Sequence, residues 1–310
     1  MFGAASPVAV TQDQLRLRLG FDAGGGWQID ALGMVWWTQQ DLLHPVSWLT
    51  SAASAAPVYQ GKVSFGGQTW NATGLTMSST RRREYLAGVK LAGPLAGWDV
   101  RLNLSRFWIA RQDVRSSNDY LTGSTAGAGR QTLSNAPGWY TGALAAERRL
   151  GRHKLAFGAD ANRYETSADT YRVSNWRSAA GATYANSSYG RTSTWGLWLE
   201  DAVELGGDLT LTAGLRYDRW RAHGGGLATA IAGRRVDAPF ADRSDQAFSP
   251  KLSLQARLPG AVEAQLSLGI ATRFPTVGEL FQGSQDTSGA LIANSFNPYL
   301  RPERSRDASL

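Results

Sequence analysis

The feature that most constrains this chain is a strict two-residue alternation of apolar and polar side chains, held for about ten residues at a time. In Leu209-Thr-Leu-Thr-Ala-Gly-Leu-Arg-Tyr-Asp218, positions 209, 211, 213, 215 and 217 are apolar or aromatic, while 210, 212, 214, 216 and 218 are small, polar or charged. Successive side chains of a strand point to opposite faces, so this spacing predicts a sheet with one apolar and one polar face. On a helix the same residues would scatter around the axis. The pattern returns at 15–21, 98–104, 155–161 and 262–270, and the chain contains about eleven such segments, the last cut off at Leu310. The expected fold class is all-β, an antiparallel meander.

Connections decide which kind of sheet. Short turns rich in Gly or Pro join strands in pairs at 23–26, 93–97, 151–153, 206–208 and 259–261. Long polar stretches separate the pairs near 38–84, 110–138, 165–193, 221–247 and 276–303. A soluble sandwich shows no such strict short–long alternation, whereas a transmembrane barrel has strands of about ten residues, tight turns at one end and long loops at the other. The apolar face would then meet lipid and the polar face line the lumen, with backbone groups satisfied by the ladder. Trp27, Trp37, Trp98, Trp139, Tyr140, Trp195, Tyr217 and Phe274 sit near strand ends, where interfacial aromatic girdles are expected.

Register follows from the same logic. With a turn at 259–261, Leu258 faces Val262, Arg257 faces Glu263, Gln255 faces Gln265 and Ser253 faces Ser267. Leu254 then meets Leu266 and Leu252 meets Leu268, and a slip of one residue would set Arg257 against an apolar partner.

Charge and composition exclude several classes. The net charge of +7 is carried by arginine, since lysine occurs only at 62, 90, 154 and 251. These arginines alternate with apolar residues or sit beside acids, which is not a nucleic-acid footprint. No run of about 18 apolar residues could cross a bilayer as a helix, and the start MFGAASPVAV has no basic region followed by a long apolar one. With no cysteine, a disulfide scaffold or thiolate metal site is excluded. His44, His153 and His223 show no metal-motif spacing, so neither a metal nor another cofactor is expected. The best enzymatic arrangement, His223 with Asp237 or Asp242, rests on proximity in the sequence alone. Glu200 and Asp201 point to opposite faces, and Gly24–Gly26 and Gly224–Gly226 read as turns.

In the last third, WGLWLEDAVELGGDLTLTAGLRYDRW at 195–220 and FSPKLSLQARL at 248–258 are followed by ATRFPTVGELF at 271–281 and NPYLRPERS at 297–305. This succession resembles the barrel of TonB-dependent outer-membrane receptors. The family has an aromatic strand ending in GLRYD, a segment like SPK, a FRAP-T-x-x-E-L box, and after a loop an NPNL-x-P-E box. The first box falls on Arg273, Phe274, Pro275, Thr276, Glu279 and Leu280, without the alanine usual before the proline. The second falls on Asn297, Pro298, Leu300, Pro302 and Glu303, with Tyr299 for the usual asparagine. The specific match covers about 195–310; residues 1–194 agree by pattern only. Both boxes read as loop boundaries, where Pro275 and Pro298 interrupt ladder bonding.

The resemblance implies a bacterial outer-membrane importer without chemistry of its own, driven by a TonB-type energy-coupling protein. The family's N-terminal plug and 22-stranded barrel imply that 1–310 is a partial barrel, lacking the plug and the C-terminal strands. The implied ligand is a ferric siderophore or similar small iron complex held between loops and plug. Candidate contacts are Arg81, Arg82, Arg83, Arg163, Trp176, Arg177, Tyr184, Tyr189, Arg191, Arg219, Arg221, Arg234 and Arg235, since arginine suits anionic, ringed ligands. The competing reading has the same arginines contacting lipopolysaccharide phosphates or solvating loops. Haem is marked down because 276–296 contains no histidine. A passive porin is the alternative transporter, and an outer-membrane barrel enzyme the third reading.

Overall fold

The computed structural model describes residues 3–59, 61–72, 75–118, 127–134, 136–206, 208–258, 260, 262–283, 292 and 294–310. In chain order its elements are β1 (Gly3–Ala4), β2 (Ala9–Gly24), β3 (Trp27–Leu42), β4 (Val46–Ser47), β5 (Gly61–Phe65), β6 (Gln68–Ala72), β7 (Ser78–Leu95), β8 (Trp98–Ser117), β9 (Gly129–Ser134), β10 (Gly138–Leu150), β11 (His153–Val173), β12 (Thr183–Gly206), β13 (Leu209–Ile231), β14 (Arg234–Pro239), β15 (Arg243–Leu258), β16 (Val262–Arg273), the one-turn helix α1 (Val277–Phe281) and β17 (Glu303–Ser309).

The main sheet has 13 strands, and β2, β3, β7, β8, β10, β11, β12, β13, β15, β16 and β17 follow one another along it as neighbours. Every pairing in it is antiparallel, so the expected meander is the observed one. Beyond the end of β10, β9 fills the gap between β8 and β11, and β14 extends the sheet on β13 beyond β15. Among the described residues the sheet does not close: β2 and β17 each have one neighbour.

Tight turns hold one end. Gly25 and Gly26 have φ of +61° and +83°, and Ala96 and Gly97 have +50° and +81°. Positive φ at both central residues is the two-residue hairpin geometry whose twist matches the strands. The turn expected at 93–97 thus tightens to Ala96–Gly97, with β7 running on to Leu95. Residues 207, 259 and 261, within two other expected turns, lie outside the described residues. The β15–β16 register is the expected one at all the positions named, from Leu252↔Leu268 through Arg257↔Glu263 to Leu258↔Val262.

One face is apolar across the sheet: Val35 lies beside Leu15 and Tyr85, Ala159 beside Leu144 and Leu197, and Tyr217 beside Leu197 and Phe248. These side chains stand open, Leu197 at 53% and Leu199 at 57% exposure, as a lipid-facing surface requires. Aromatic residues bound the band. Trp27 and Trp98 lie at the turn end, and Trp37, Tyr85, Trp108, Tyr140, Trp195, Tyr217 and Phe248 at the loop end. Ten residues separate Trp27 from Trp37 and Trp98 from Trp108. That is about 33 Å of strand, which at a tilt of about 40° spans about 25 Å, the height of a barrel's apolar band.

Two of the eight expected girdle residues are elsewhere. Trp139 faces the polar side and stacks on Phe107 at 5.9 Å, because Tyr140 already takes the apolar face and consecutive residues alternate. Phe274 leaves the end of β16 and stacks on Trp220 at 5.9 Å.

Two of the stretches read as loops, 165–193 and 221–247, are largely strand. β12 runs for 24 residues and β13 for 23, and between β11 and β12 only 174–182 are not strand. At about 3.3 Å per residue β12 is roughly 80 Å long, far beyond a band about 25 Å high. Past the aromatic row both faces are wet, so the sheet continues without the alternation that reveals it. Buried apolar residues gather at this loop end. Trp220, Ala222, Leu280 and Phe281 form one cluster, and Met77, Val173 and Trp176 another, where 174–182 pack near the ends of β3 and β7.

Candidate functional site

The two sequence boxes form a single structure at the loop end. After β16, Pro275 ends ladder bonding and Thr276 caps α1. Its hydroxyl accepts from the Glu279 N–H at 3.3 Å, and the Glu279 carboxylate accepts from the Thr276 N–H at 2.8 Å. This reciprocal pair is a capping box, satisfying donors that a one-turn helix cannot bond internally. The T-x-x-E spacing was present in the sequence as Thr276–Glu279, yet the helix was not among the expected elements.

The capped turn places Leu280 and Phe281 in the cluster around Trp220, with Phe240, Phe274, Val277 and Leu300 packed against it. Phe281 lies on two glycines, Gly190 of β12 and Gly225 of β13, where any Cβ would overlap its ring. Here the β12–β13 register shifts between Tyr189 and Arg191, with Gly224 at a φ of +57°. Gly224–Gly226 is therefore a β-bulge inside a strand and not the expected turn; the bulge bends β13 to receive the aromatic ring.

Arg273 joins the boxes. Its guanidinium donates to Glu303 at 3.0 Å and to Glu279 at 3.1 Å. Arg273, helped by the N–H and hydroxyl of Thr276, holds the Glu279 carboxyl down at about 2, and it lowers Glu303 too. From the second box, the Asn297 N–H donates to the Glu279 carbonyl at 3.0 Å, and Asn297 Oδ1 accepts from the Tyr299 N–H at 2.8 Å across Pro298. Arg243 donates to the carbonyls of Pro298 and Leu300 at 2.5 and 2.8 Å and lies over the Trp220 ring. Pro302 directly precedes β17, where a missing donor costs no ladder bond. Trp220, Phe240 and Arg243 were not singled out in the boxes, because nothing local in the sequence connects them to α1.

The candidate ligand contacts do not converge. Arg81 and Arg83, opposite Gln39 and Trp37, share the apolar face of β3, as does Arg163, opposite Tyr140. Arg191, Arg219 and Arg221 continue that face on β12 and β13. Arg163 and Arg191 share Glu165, at 2.5 and 3.4 Å, and Arg221 pairs with Asp242 at 2.6 Å. Tyr184, Tyr189 and Arg235 form a group of their own, the guanidinium 5.7 and 5.8 Å from the two rings, with Asp237 bonded to Arg235 and Tyr189. Arg82 and Arg234 lie on the opposite face from Arg81, Arg83 and Arg235. Trp176 is buried at 1% exposure with Arg177 over its ring.

The enzymatic arrangement is also resolved into its contacts. His223 Nε2 lies 3.1 Å from Ser193 Oγ, while Asp242 is taken by Arg221 and by the Gly224 N–H. Burial and Arg221 lower the His223 pKa. Asp237 is held by Arg235 and Tyr189, and His153 pairs with Asp201 at 2.8 Å. Glu200 turns to the other face and pairs with Lys251. Among the described residues no group of three or more acids or histidines is placed to hold a metal.

A long antiparallel meander with an apolar band between two aromatic rows defines this chain as a transmembrane β-barrel sheet. The chain belongs to the TonB-dependent receptor-like β-barrel family, whose model matches residues 12–310. The match reaches well beyond the 195–310 region of motif resemblance. Among solved structures, the ferric citrate transporter FecA in its unliganded form is similar at a TM-score of 0.49 and 14% identity, over 86% of this chain and 36% of that one. The copper transporter OprC gives 0.43 and 16%, over 99% and 52%. A double mutant of the Serratia marcescens hemophore receptor HasR, with its hemophore HasA and heme, gives 0.36 and 16%, over 98% and 50%. The chain thus spans between 36% and 52% of the length of these structures. No curated protein matches it in sequence.

Proposed function

We propose that this chain is part of the barrel of an outer-membrane active importer, and that the whole protein takes up a ferric siderophore or a similar small iron complex. Membership of the receptor family over residues 12–310 carries the reading. On this reading the barrel has no catalytic role. Energy reaches the whole protein from a TonB-type partner acting on a plug domain, and further strands complete the barrel around it. The ligand class is supported by arginine on the polar face, at Arg82 and Arg234, and by the absence of histidine from 276–296. Arg82 and Arg234, on the polar face, are the candidates best placed to meet cargo in a lumen, because Arg81, Arg83, Arg163, Arg191, Arg219 and Arg221 point the other way.

Growth of an iron-starved strain complemented with the full-length gene tests this reading. Rescue by a ferric siderophore that is lost when the energy-coupling partner is deleted is the expected result. Rescue by haem alone would refute the ligand class, and rescue that ignores the coupling partner would mark a passive pore.

A further inference from the structure

Alternation makes the lumen face polar, and toward the turn end it carries matched charges. Arg18 meets Asp30 at 3.2 Å, Arg101 meets Glu147 at 3.0 Å, and Arg216 meets Asp160 at 2.7 Å. Four rings break that pattern. Trp36 of β3, Phe107 of β8, Trp139 of β10 and Tyr164 of β11 stand on the same face, with Leu86 of β7 opposite Phe107. Their chain neighbours Trp37, Trp108 and Tyr140 belong to the lipid-side aromatic row at the loop end, so the rings line the lumen wall at that level. Trp36 meets Phe107 edge to face with centroids 6.5 Å apart, and Phe107 stacks on Trp139 at 5.9 Å. Trp139 is directly opposite Tyr164, which is 40% exposed.

None of the four rings is buried, so the row sets a contiguous apolar patch on a wall that is otherwise wet. A patch of that kind marks a surface that something covers. The rings are already held in place: Trp36 donates its Nε1–H to Gln14 Oε1 at 3.1 Å, and Phe107 packs between two indoles. A ligand ring that docks there meets little ordering cost and gains burial together with edge-to-face or offset-stacked contact. Charge indicates the kind of partner. The matched ion pairs, which suit a hydrated protein surface, lie on the turn side of the row. Beside the rings stand neutral hydrogen-bonding groups, Gln14, Ser105, Thr141 and Asn162, and the acid opposite Trp36, Glu84, is tied to Arg82 at 3.1 Å. Rings flanked by hydroxyls and amides fit a small molecule that is itself ringed and polar at its rim.

We infer that Trp36, Phe107, Trp139 and Tyr164 form a row that binds aromatic rings of the cargo. On the importer reading, on which this rests, the cargo is an iron complex whose chelating groups are aryl and not aliphatic. The row narrows the ligand class by a feature that most of the candidate arginines cannot supply, since they face away from the lumen.

The test is isothermal titration of the full-length protein in detergent micelles with a ferric tricatecholate, a ferric trihydroxamate with aliphatic arms, and the tricatecholate without iron. The unaltered protein should bind the ferric tricatecholate about tenfold more tightly than the trihydroxamate, or better. Trp139→Leu keeps apolar bulk without a ring. It should weaken the ferric tricatecholate about tenfold and leave the trihydroxamate unchanged, as the loss of one ring contact and its burial implies. Trp139→Phe keeps a ring and should recover most of the difference. Tyr140→Leu, the next residue along but on the lipid side, should leave the preference intact. If Trp139→Leu does not fold, Tyr164→Leu and Tyr164→Phe replace the pair with the same expectations. Equal binding of the two ferric complexes overturns the inference, and so does a Trp139→Leu loss shared by both, which would mean that the rings pack against protein in the lumen. Ring-dependent binding of the iron-free chelator without any gain from iron would sink the iron reading while the row stands. Tight and equal binding of both ferric complexes would do the reverse.

Discussion

The band between the two aromatic rows and the cluster at the loop end are built on different terms, though the same strands run through both. In the band, Leu197 and Leu199 are more than half exposed and no described residue packs over them; at the loop end Trp220, Leu280 and Phe281 are 3% exposed or less. The band relies on its hydrogen-bonded ladder and on lipid to cover its apolar side. The cluster is a small water-type core that buries rings against rings and caps its own helix. One chain therefore obeys two solvents, and the change falls at the loop-end aromatic row.

Substitutions should separate the two regions, beginning with the largest expected effect. Phe281→Ala removes the ring seated on Gly190 and Gly225 and should destabilise the cluster by about 3–5 kcal/mol. Hydrogen exchange of the α1 and β13 amides reads this, and the comparison breaks if amides between the aromatic rows loosen equally. Leu266→Arg, on the lipid side midway along β16, should cost the whole barrel about 2–4 kcal/mol in denaturant unfolding from vesicles. A neutral result there would mean that Leu266 does not face lipid.

Thr276→Ala deletes the cap and should loosen α1 by about 0.5–2 kcal/mol, seen as faster exchange of the Glu279 amide with the band unmoved. The pH response sharpens the same point. The Glu279 carboxyl is held near 2, so the stabilisation it gives is complete above its ordinary value near 4.5 and is lost as the pH falls toward 2. Protection at α1, taken relative to the intrinsic exchange rate at each pH, should therefore be flat from pH 7 to about 5 and fall below that, and Glu279→Gln should abolish the dependence. The smallest effect belongs to Arg257→Gln. Its pair with Glu263 is wet, with side chains 65% and 59% exposed, and should contribute about 0–1 kcal/mol in a double-mutant cycle.

Legibility in the sequence divides along the same line. Where one face met lipid and the other water, alternation gave the strands, their order and the β15–β16 register residue by residue. Where both faces met water it gave nothing. Thr183-Tyr-Ala-Asn-Ser-Ser-Tyr reads as a polar loop and is the start of β12. Its Thr and Tyr content was the remaining signal for a strand. Trp139 and Tyr140 are adjacent, so aromatic character alone does not say which of the two takes the apolar face; parity gives it to Tyr140. The boxes were legible as motifs, but not their joining by Arg273 or their seat on Trp220, since those contacts link β13, β16, α1 and β17 over long separations.

The joined boxes have a consequence for how such a chain can diversify. The bond from the Asn297 N–H to the Glu279 carbonyl ties positions 279 and 297 together at the frame. With both ends pinned, the length of sequence between them bears little on the energy of the frame. Doubling that length would cost only about 0.6 kcal/mol of closure entropy. Insertions and wholesale replacement there should leave the sheet untouched, so new surface chemistry can be sampled on a frame that does not have to be reinvented.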